Sequence, residues 1–390
     1  MPHYQKVRDV HAAARMAAGA RSMNAPAPPW WRRWWPTPVR QRPDIAARHP
    51  AAPIAVAGRA GGQDRWDRPA AASAADESPD QGVTALLQAQ WHALALEPLS
   101  RGPDQVLNRP LHDAVDTALA TRDWASRQLP RRPQLLPQLI QTVNDPAASA
   151  RGVAGIVGQD AVLTGNLLRI ANSPLFRIQD RPVDSLQRAV TLVGTDGIRQ
   201  IISAVLVQPV MQLQCAVFPH FGATIWEQAL LASRAAADHA RTLGQGDPFA
   251  AQWLGLTEGL GAALVMKQLM HEAAQREEVP DAATARVLLQ TWTLPVAQRV
   301  ATAWELPPAV RAALAVQSEG TGLPASLQFA RAAAAASLLC RHGRMGQAQA
   351  IALLEQVPGA PCQALEGLWR RLHGRPVETV DEDESRNARA

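Results

Sequence analysis

Apolar residues recur at helical spacing through most of the chain from Val83 to Leu372, and no alternating apolar-polar run bounded by turns interrupts them. The pattern predicts an all-α fold. Leu86, Leu87, Trp91, Leu94 and Leu96 form a first stripe that stops at Pro98, and a second helix is expected over Leu111 to Trp124. Between Pro130 and Pro209 the spacing predicts five helices. Leu135, Leu136, Leu139, Ile140 and Val143 form one, ended by Asn144-Asp145-Pro146, and Ser149 is placed to cap the next. Asp160 caps a third, with Leu163, Leu167, Ile170 and Ala171 inward, which Asn172-Ser173-Pro174 breaks. Asp184 or Ser185 starts a fourth that Gly194 ends, and Thr195 or Asp196 opens a fifth with Ile198, Ile201, Ile202, Val205 and Leu206 buried.

Beyond Pro219, helices are expected around Trp226 to Leu243, Pro248 to Met270, Ala282 to Trp292, Val296 to Trp304 and Ala309 to Val316. An Ala-rich pair follows over Pro324 to His342 and Gly346 to Leu372. The reading is a two-part helical bundle. A five-helix half at 126–209 packs on a second helical half at 215–318. Leading helices at 81–125 precede them, and C-terminal helices at 323–375 and an acidic tail at 376–390 follow.

Residues 1–80 lack this periodicity and mix Ala, Pro, Arg and Gly, the composition of a disordered tail. Within it Trp30, Trp31, Trp34 and Trp35 flank Arg32 and Arg33, between prolines that forbid a long helix. Indole favours a membrane interface and guanidinium favours phosphate. The hexapeptide therefore reads as a weak anchor for anionic lipid or nucleic acid, or as a segment that folds back on the body.

Charge sharpens this division. The 390 residues carry a net charge of +5, yet residues 1–70 hold 12 Lys and Arg against 4 Asp and Glu, leaving the remaining 320 residues at net −3. The basicity belongs to the tail, and the body does not invite nucleic acid. Cys215, Cys340 and Cys362 have no metal-type or redox-type spacing, which favours a reducing compartment and a cytoplasmic location. Arg, Gln, Asp or Pro interrupts each apolar run before the roughly 18 residues a spanning helix needs. The Arg-rich and Ala-rich N-terminus also fits a transit peptide, but it lacks the apolar region of a secretory signal.

The segment from Leu129 to Leu206 resembles the HD-related output domain, HDOD. The resemblance rests on Leu129-Pro130, Asn144-Asp145-Pro146, Gln159-Asp160, the run Leu167-Leu168-Arg169-Ile170-Ala171-Asn172-Ser173-Pro174-Leu175-Phe176, and Ser185 through Gly194. It extends over residues 126–318 and weakens beyond Pro209. It implies a second, HD-like half related to phosphohydrolases, in which His, His-Asp and Asp side chains hold a divalent metal that activates water against phosphate.

In this chain the position of the first His reads Gln228, and the His-Asp-x-Gly element reads Glu258-Gly259-Leu260-Gly261. Leu314-Ala315-Val316-Gln317-Ser318 stands where related sequences often carry histidines. Glycine offers no ligand, so the sequence predicts neither metal nor cofactor. His220, His239 and His271 are spaced unlike a metal box, and His239 on its Ala-rich helix reads as a surface residue. His112-Asp113 reads as a chance dipeptide on a solvated face. No phosphate loop, nucleophile elbow, zincin or dinucleotide motif occurs.

The resemblance therefore implies a non-catalytic bacterial signal-transduction protein that binds a partner protein or a small ligand, including a partner tied to cyclic-di-GMP. The alternative is a divergent metal-dependent phosphohydrolase that acts on a nucleotide through Glu258. The furrow between the two halves is the expected binding surface. Arg169, Asn172 and Arg177 are its candidate residues, although Asn172-Ser173-Pro174 reads first as a geometric helix end.

Overall fold

The computed structural model describes residues 79–97, 106–138, 161–172, 181–213, 215–316 and 321–373, with positions 155 and 158. The Trp30 to Trp35 cluster, the stripe residues from Leu139 to Val143, Ser149 and the acidic tail lie outside the described residues. Among those described, the chain is all helical, with no β-strand.

Helix α1 (Pro79–Ala95) is followed by α2 (Arg109–Ala120) and α3 (Arg122–Gln128). The single helix expected over Leu111 to Trp124 is two, because Thr121 is extended at φ −83° and ψ 143° and its hydroxyl accepts the Trp124 N–H at 3.3 Å. A new N-cap thus interrupts the run. Helix α1 buries Leu87, Trp91 and Ala95, and Leu96 just after it is buried too, whereas Leu86 is 47% exposed. Its buried face turns toward Thr84, Gln88 and His92, spaced i, i+4 and i+8, so polar residues share the face that an apolar stripe alone misplaces.

Helix α4 (Ala161–Ala171) packs on α5 (Leu186–Val207). Ser185 caps α5, its hydroxyl accepting the Arg188 N–H at 3.3 Å. Gly194 does not end this helix, which runs unbroken for 22 residues where two were expected. A helical glycine costs about 1 kcal/mol. Burial of Ile198, Ile201, Ile202 and Val205 on the following turns outweighs that cost.

The centre of the fold is a closely packed group: α6 (Phe221–Leu243), α7 (Pro248–Gln275), α8 (Ala282–Ala303), α9 (Pro308–Ala315) and α10 (Gly322–Arg341). Gly244, left-handed at φ 62°, ends α6. Three residues later Asp247 caps α7 by accepting the Phe249 and Ala250 N–H groups. Helix α8 continues through Pro295, again one helix in place of two. An interior proline costs about 3 kcal/mol, and full burial of Trp292, Val296, Ala297 and Val300 on both sides offsets it.

Helix α10 lies against α6 and α1. It alone among the described helices is long and apolar enough to cross a membrane, but 78% of its apolar window is buried inside the fold, as for a core helix. The chain ends with α11 (Gln347–Leu354), a 3-10 turn at Cys362–Ala364 and α12 (Leu365–His373), where one helix was expected over Gly346 to Leu372.

Candidate functional site

Three glycines set how closely α7 meets its neighbours. A Cβ built on Gly255 would lie 2.2 Å from the Ser233 backbone N of α6, and one on Gly259 would lie 2.4 Å from the Ala229 Cβ and 3.0 Å from the Met211 Cε. On the opposite face, a Cβ on Gly261 would lie 2.3 Å from the Thr293 carbonyl O of α8. These contacts are shorter than any side chain tolerates, so Gly259 and Gly261 are packing surfaces.

The crossing carries two buried carboxylates, and α10 supplies a guanidinium to each. Arg331 Nε donates to Glu258 Oε1 at 2.7 Å. Arg341 donates to Glu227 Oε1 at 2.7 Å and to the Leu372 carbonyl at 3.0 Å. The two arginines are ten residues apart, about 15 Å along the helix. Both glutamates are buried, Glu258 at 7% exposure and Glu227 at 6%. Burial pushes the Glu258 carboxyl above the usual range, and the Arg331 charge and hydrogen bond pull it back.

Helix α1 closes the same region. Gln88 donates to the Arg331 carbonyl at 2.9 Å and accepts the Trp91 indole N–H at 2.8 Å. His92 beside them is pushed down to about 3, first by burial and then by the charges of Arg331 and Arg286. It is neutral at physiological pH. On α6, both amide atoms of buried Gln228 lack a hydrogen-bond partner among the described residues, as do those of Gln252 on α7.

A divalent metal does not fit this arrangement. The resemblance places the ligand acid at Gly259, where even a Cβ overlaps Ala229. It places a histidine at Glu258, whose carboxylate Arg331 already holds, and another at Gln228, a neutral amide. Among the described residues no three His, Cys, Asp or Glu side chains are grouped to share an ion. A guanidinium supplies the positive charge beside Glu258.

Residues 129–319 match the HDOD domain family. The chain carries an HDOD domain. No curated protein matches the chain. Among solved structures, it is similar to a protein named provisionally as a metal-dependent phosphohydrolase from Shewanella amazonensis SB2B. That match has 18% identity and a TM-score of 0.47, and covers 67% of this chain and 98% of that one. It is also similar to an HDOD domain protein of unknown function from Geobacter sulfurreducens, at 23% identity and a TM-score of 0.46 over 66% of this chain and 88% of that one. A protein named provisionally as a signal transduction protein from Marinobacter aquaeolei VT8 matches at 18% identity and a TM-score of 0.42, over 69% of this chain and 66% of that one. At these values the names carry no function across.

Arg331 and Arg341 lie beyond the HDOD match, and neither drew notice in the sequence. Of the residues the sequence singled out inside the HDOD domain, Asn172 uses its amide on the backbone of Leu168 and Val183. It donates to the Leu168 and Val183 carbonyls at 2.9 and 2.7 Å and accepts the Val183 N–H at 2.6 Å. Arg169 is half-buried in the last turn of α4. Arg177 and Trp30 to Trp35 lie outside the described residues.

His239 is not on the surface. It is 1% exposed and stacks on Phe329 at 4.7 Å, with its ring nitrogens against Ser326 Oγ at 3.0 Å and the Gly359 carbonyl at 2.9 Å. Helix α10 and the turn before Cys362 cover it, so it is a satisfied core residue whose pKa burial lowers. His220 and His271 are exposed. His112 meets Asp113 at 3.0 Å, and Asp113 is solvated.

Proposed function

We propose that this HDOD-domain chain is a non-catalytic regulatory protein that acts in the cytoplasm by binding a partner protein or small ligand. One observation carries the reading. At the positions that the resemblance assigns to metal ligands, Glu258 is bonded to Arg331, and Gly259 beside it has no room for a side chain. Metal-assisted hydrolysis needs an ion with an open coordination position, and these residues favour a closed ion pair. The furrow between the halves is the proposed binding surface, with Arg169, Asn172 and Arg177 as its candidate residues. The Trp30 to Trp35 segment is a proposed secondary contact for anionic lipid or nucleic acid.

Elemental analysis of the purified full chain, with phosphodiester and nucleotide hydrolysis assays in Mn, Fe or Zn, tests the reading. No stoichiometric metal and no turnover are expected. A bound ion lost on Glu258→Ala, or turnover abolished by that change, establishes the phosphohydrolase instead. Capture of partners from the source cells, with and without residues 1–80, then tests the binding role. A specific partner is expected, and none in either form counts against it.

A further inference from the structure

The last helix sits on a face that it does not fill. Helix α12 packs on α6, α10 and α11 and buries Leu365, Leu368, Trp369 and Leu372, while Glu366, Arg370 and Arg371 are exposed. Under that apolar face lies a gap of about 10 Å³, bounded by Leu368 and Trp369 on one side and by Ala235, Phe329 and Leu354 on the other. A gap of this size is near the smallest that admits one water molecule, and the side chains around it give up dispersion contacts on the side that faces it. The Trp369 indole N–H is buried with no acceptor among the described residues, a cost that solvent removes once the helix lifts.

The polar ties of α12 to the body gather at its C-terminal end. Arg371 donates to Asp238 of α6 at 3.3 Å, and with 49% of its side chain exposed that ion pair adds little. Arg341 of α10 donates to the Leu372 carbonyl at 3.0 Å, and the Ser337 hydroxyl lies 3.1 Å from His373 Nδ1. Arg341 and Asp238 each keep a second partner when α12 leaves, Glu227 at 2.7 Å for the first and Arg241 at 2.7 Å for the second. Undocking therefore strands neither charge in the body. The helix has nine residues, and below about 12–15 a helix hardly holds by itself in water, so α12 melts as it lifts.

We propose that α12 is a C-terminal strap that opens as a unit while α6, α7 and α10 stay folded, and that its opening bares the face of the α6–α10 pair around Asp238 and Phe329. The strap thus sets whether that face is presented to solvent. The inference goes beyond the binding reading above and does not rest on it, since it stands or falls by how α12 opens, whatever the chain binds.

Hydrogen exchange of the full chain, read by mass spectrometry of peptic peptides, tests it. Amides of α12 are expected to be protected relative to an unstructured chain, yet to exchange about a hundredfold faster than those in the middle of α7. Sub-denaturing urea is expected to speed α7 and to leave α12 nearly unchanged, because opening the strap exposes little surface. Val300→Ala weakens the body away from α12 and is expected to speed α7 alone. Leu368→Ala is expected to speed α12 roughly thirtyfold or more, and Arg371→Gln by about two- to fivefold. Protection of α12 equal to that of α7 overturns the proposal, as does acceleration of both together in Val300→Ala, since the helix then opens only with the whole fold. An α12 with no protection at all overturns it from the other side, because it never docks.

Discussion

Arg331 Nε and Glu258 Oε1 meet at 2.7 Å, so a residue beyond the HDOD boundary neutralises a buried carboxylate inside the HDOD domain. Removing one member of a buried pair strands the other charge, at a cost of about 3–5 kcal/mol. Arg331→Ala is therefore expected to lower stability by up to that order, because Glu258 is left buried without its partner and must either stay charged there or take up a proton. The double change Arg331→Leu, Glu258→Leu is expected to recover most of the loss. Urea denaturation of the two single Leu variants and the double variant gives the coupling. Additive losses would refute it.

Gly259 predicts the fate of an attempt to rebuild the metal centre. Gly259→Asp introduces the acid that the resemblance expects at this position, but its Cβ falls 2.4 Å from the Ala229 Cβ. The crossing of α6 and α7 must open to admit it, at a cost of about 1–3 kcal/mol or more. The expected result is a lowered Tm with no gain of bound Zn or Mn. A variant of unchanged Tm that takes up one equivalent of metal would contradict the packing role of Gly259.

Much of this architecture was legible because long periodic runs fix helix existence well. Helices α6, α7, α9 and α10 begin within a few residues of their expected starts, since Pro248, Pro308 and the Gly244 end are local signals. Breaks that depend on tertiary burial were not legible. Gly194 and Pro295 read as helix ends by local chemistry, and buried apolar turns after Gly194 and on both sides of Pro295 override them. The candidate site shows the same limit. The resemblance drew notice to Gln228 and Glu258-Gly259 as expected departures from the family pattern. Arg331 could not be singled out, because its partner lies 73 residues earlier in the chain. A faint signal existed, a single charge inside the Ala-rich stretch Phe329 to Ala336. His239 was misplaced for the same reason, since its covering helix comes from the distant C-terminal part.

The HDOD match ends at residue 319, but the fold does not. Helix α10 buries Leu327, Phe329, Leu338 and Leu339 and covers His239, Glu227 and Glu258. Each Leu or Phe lost from a core costs about 2–5 kcal/mol, against a total domain stability of about 5–15 kcal/mol. A chain ending at residue 320 is therefore expected to lose its cooperative unfolding transition and its near-UV circular dichroism. A sharp transition in that fragment would show that the HDOD domain is stable without its C-terminal cover.

Acid sensitivity follows from His92 and His373. Burial drives His92 down to about 3, helped by Arg331 and Arg286, and burial drives His373 down to about 4, helped by Arg341. Both folded-state values lie below the ordinary value of 6.5. The unfolded chain thus binds more protons than the folded one between about 3 and 6.5, and stability rises with pH across that window. The contribution is complete above pH 6.5 and is lost as pH falls toward 3. Glu258 works in the opposite sense, since a raised carboxyl favours the folded state more as pH falls, which offsets part of the loss. His92→Gln keeps a neutral polar side chain and removes the largest of these titrations. Denaturant midpoints from pH 7 to pH 4 are expected to fall steeply for the wild type and less steeply for His92→Gln. Parallel profiles would show that His92 does not carry the acid response.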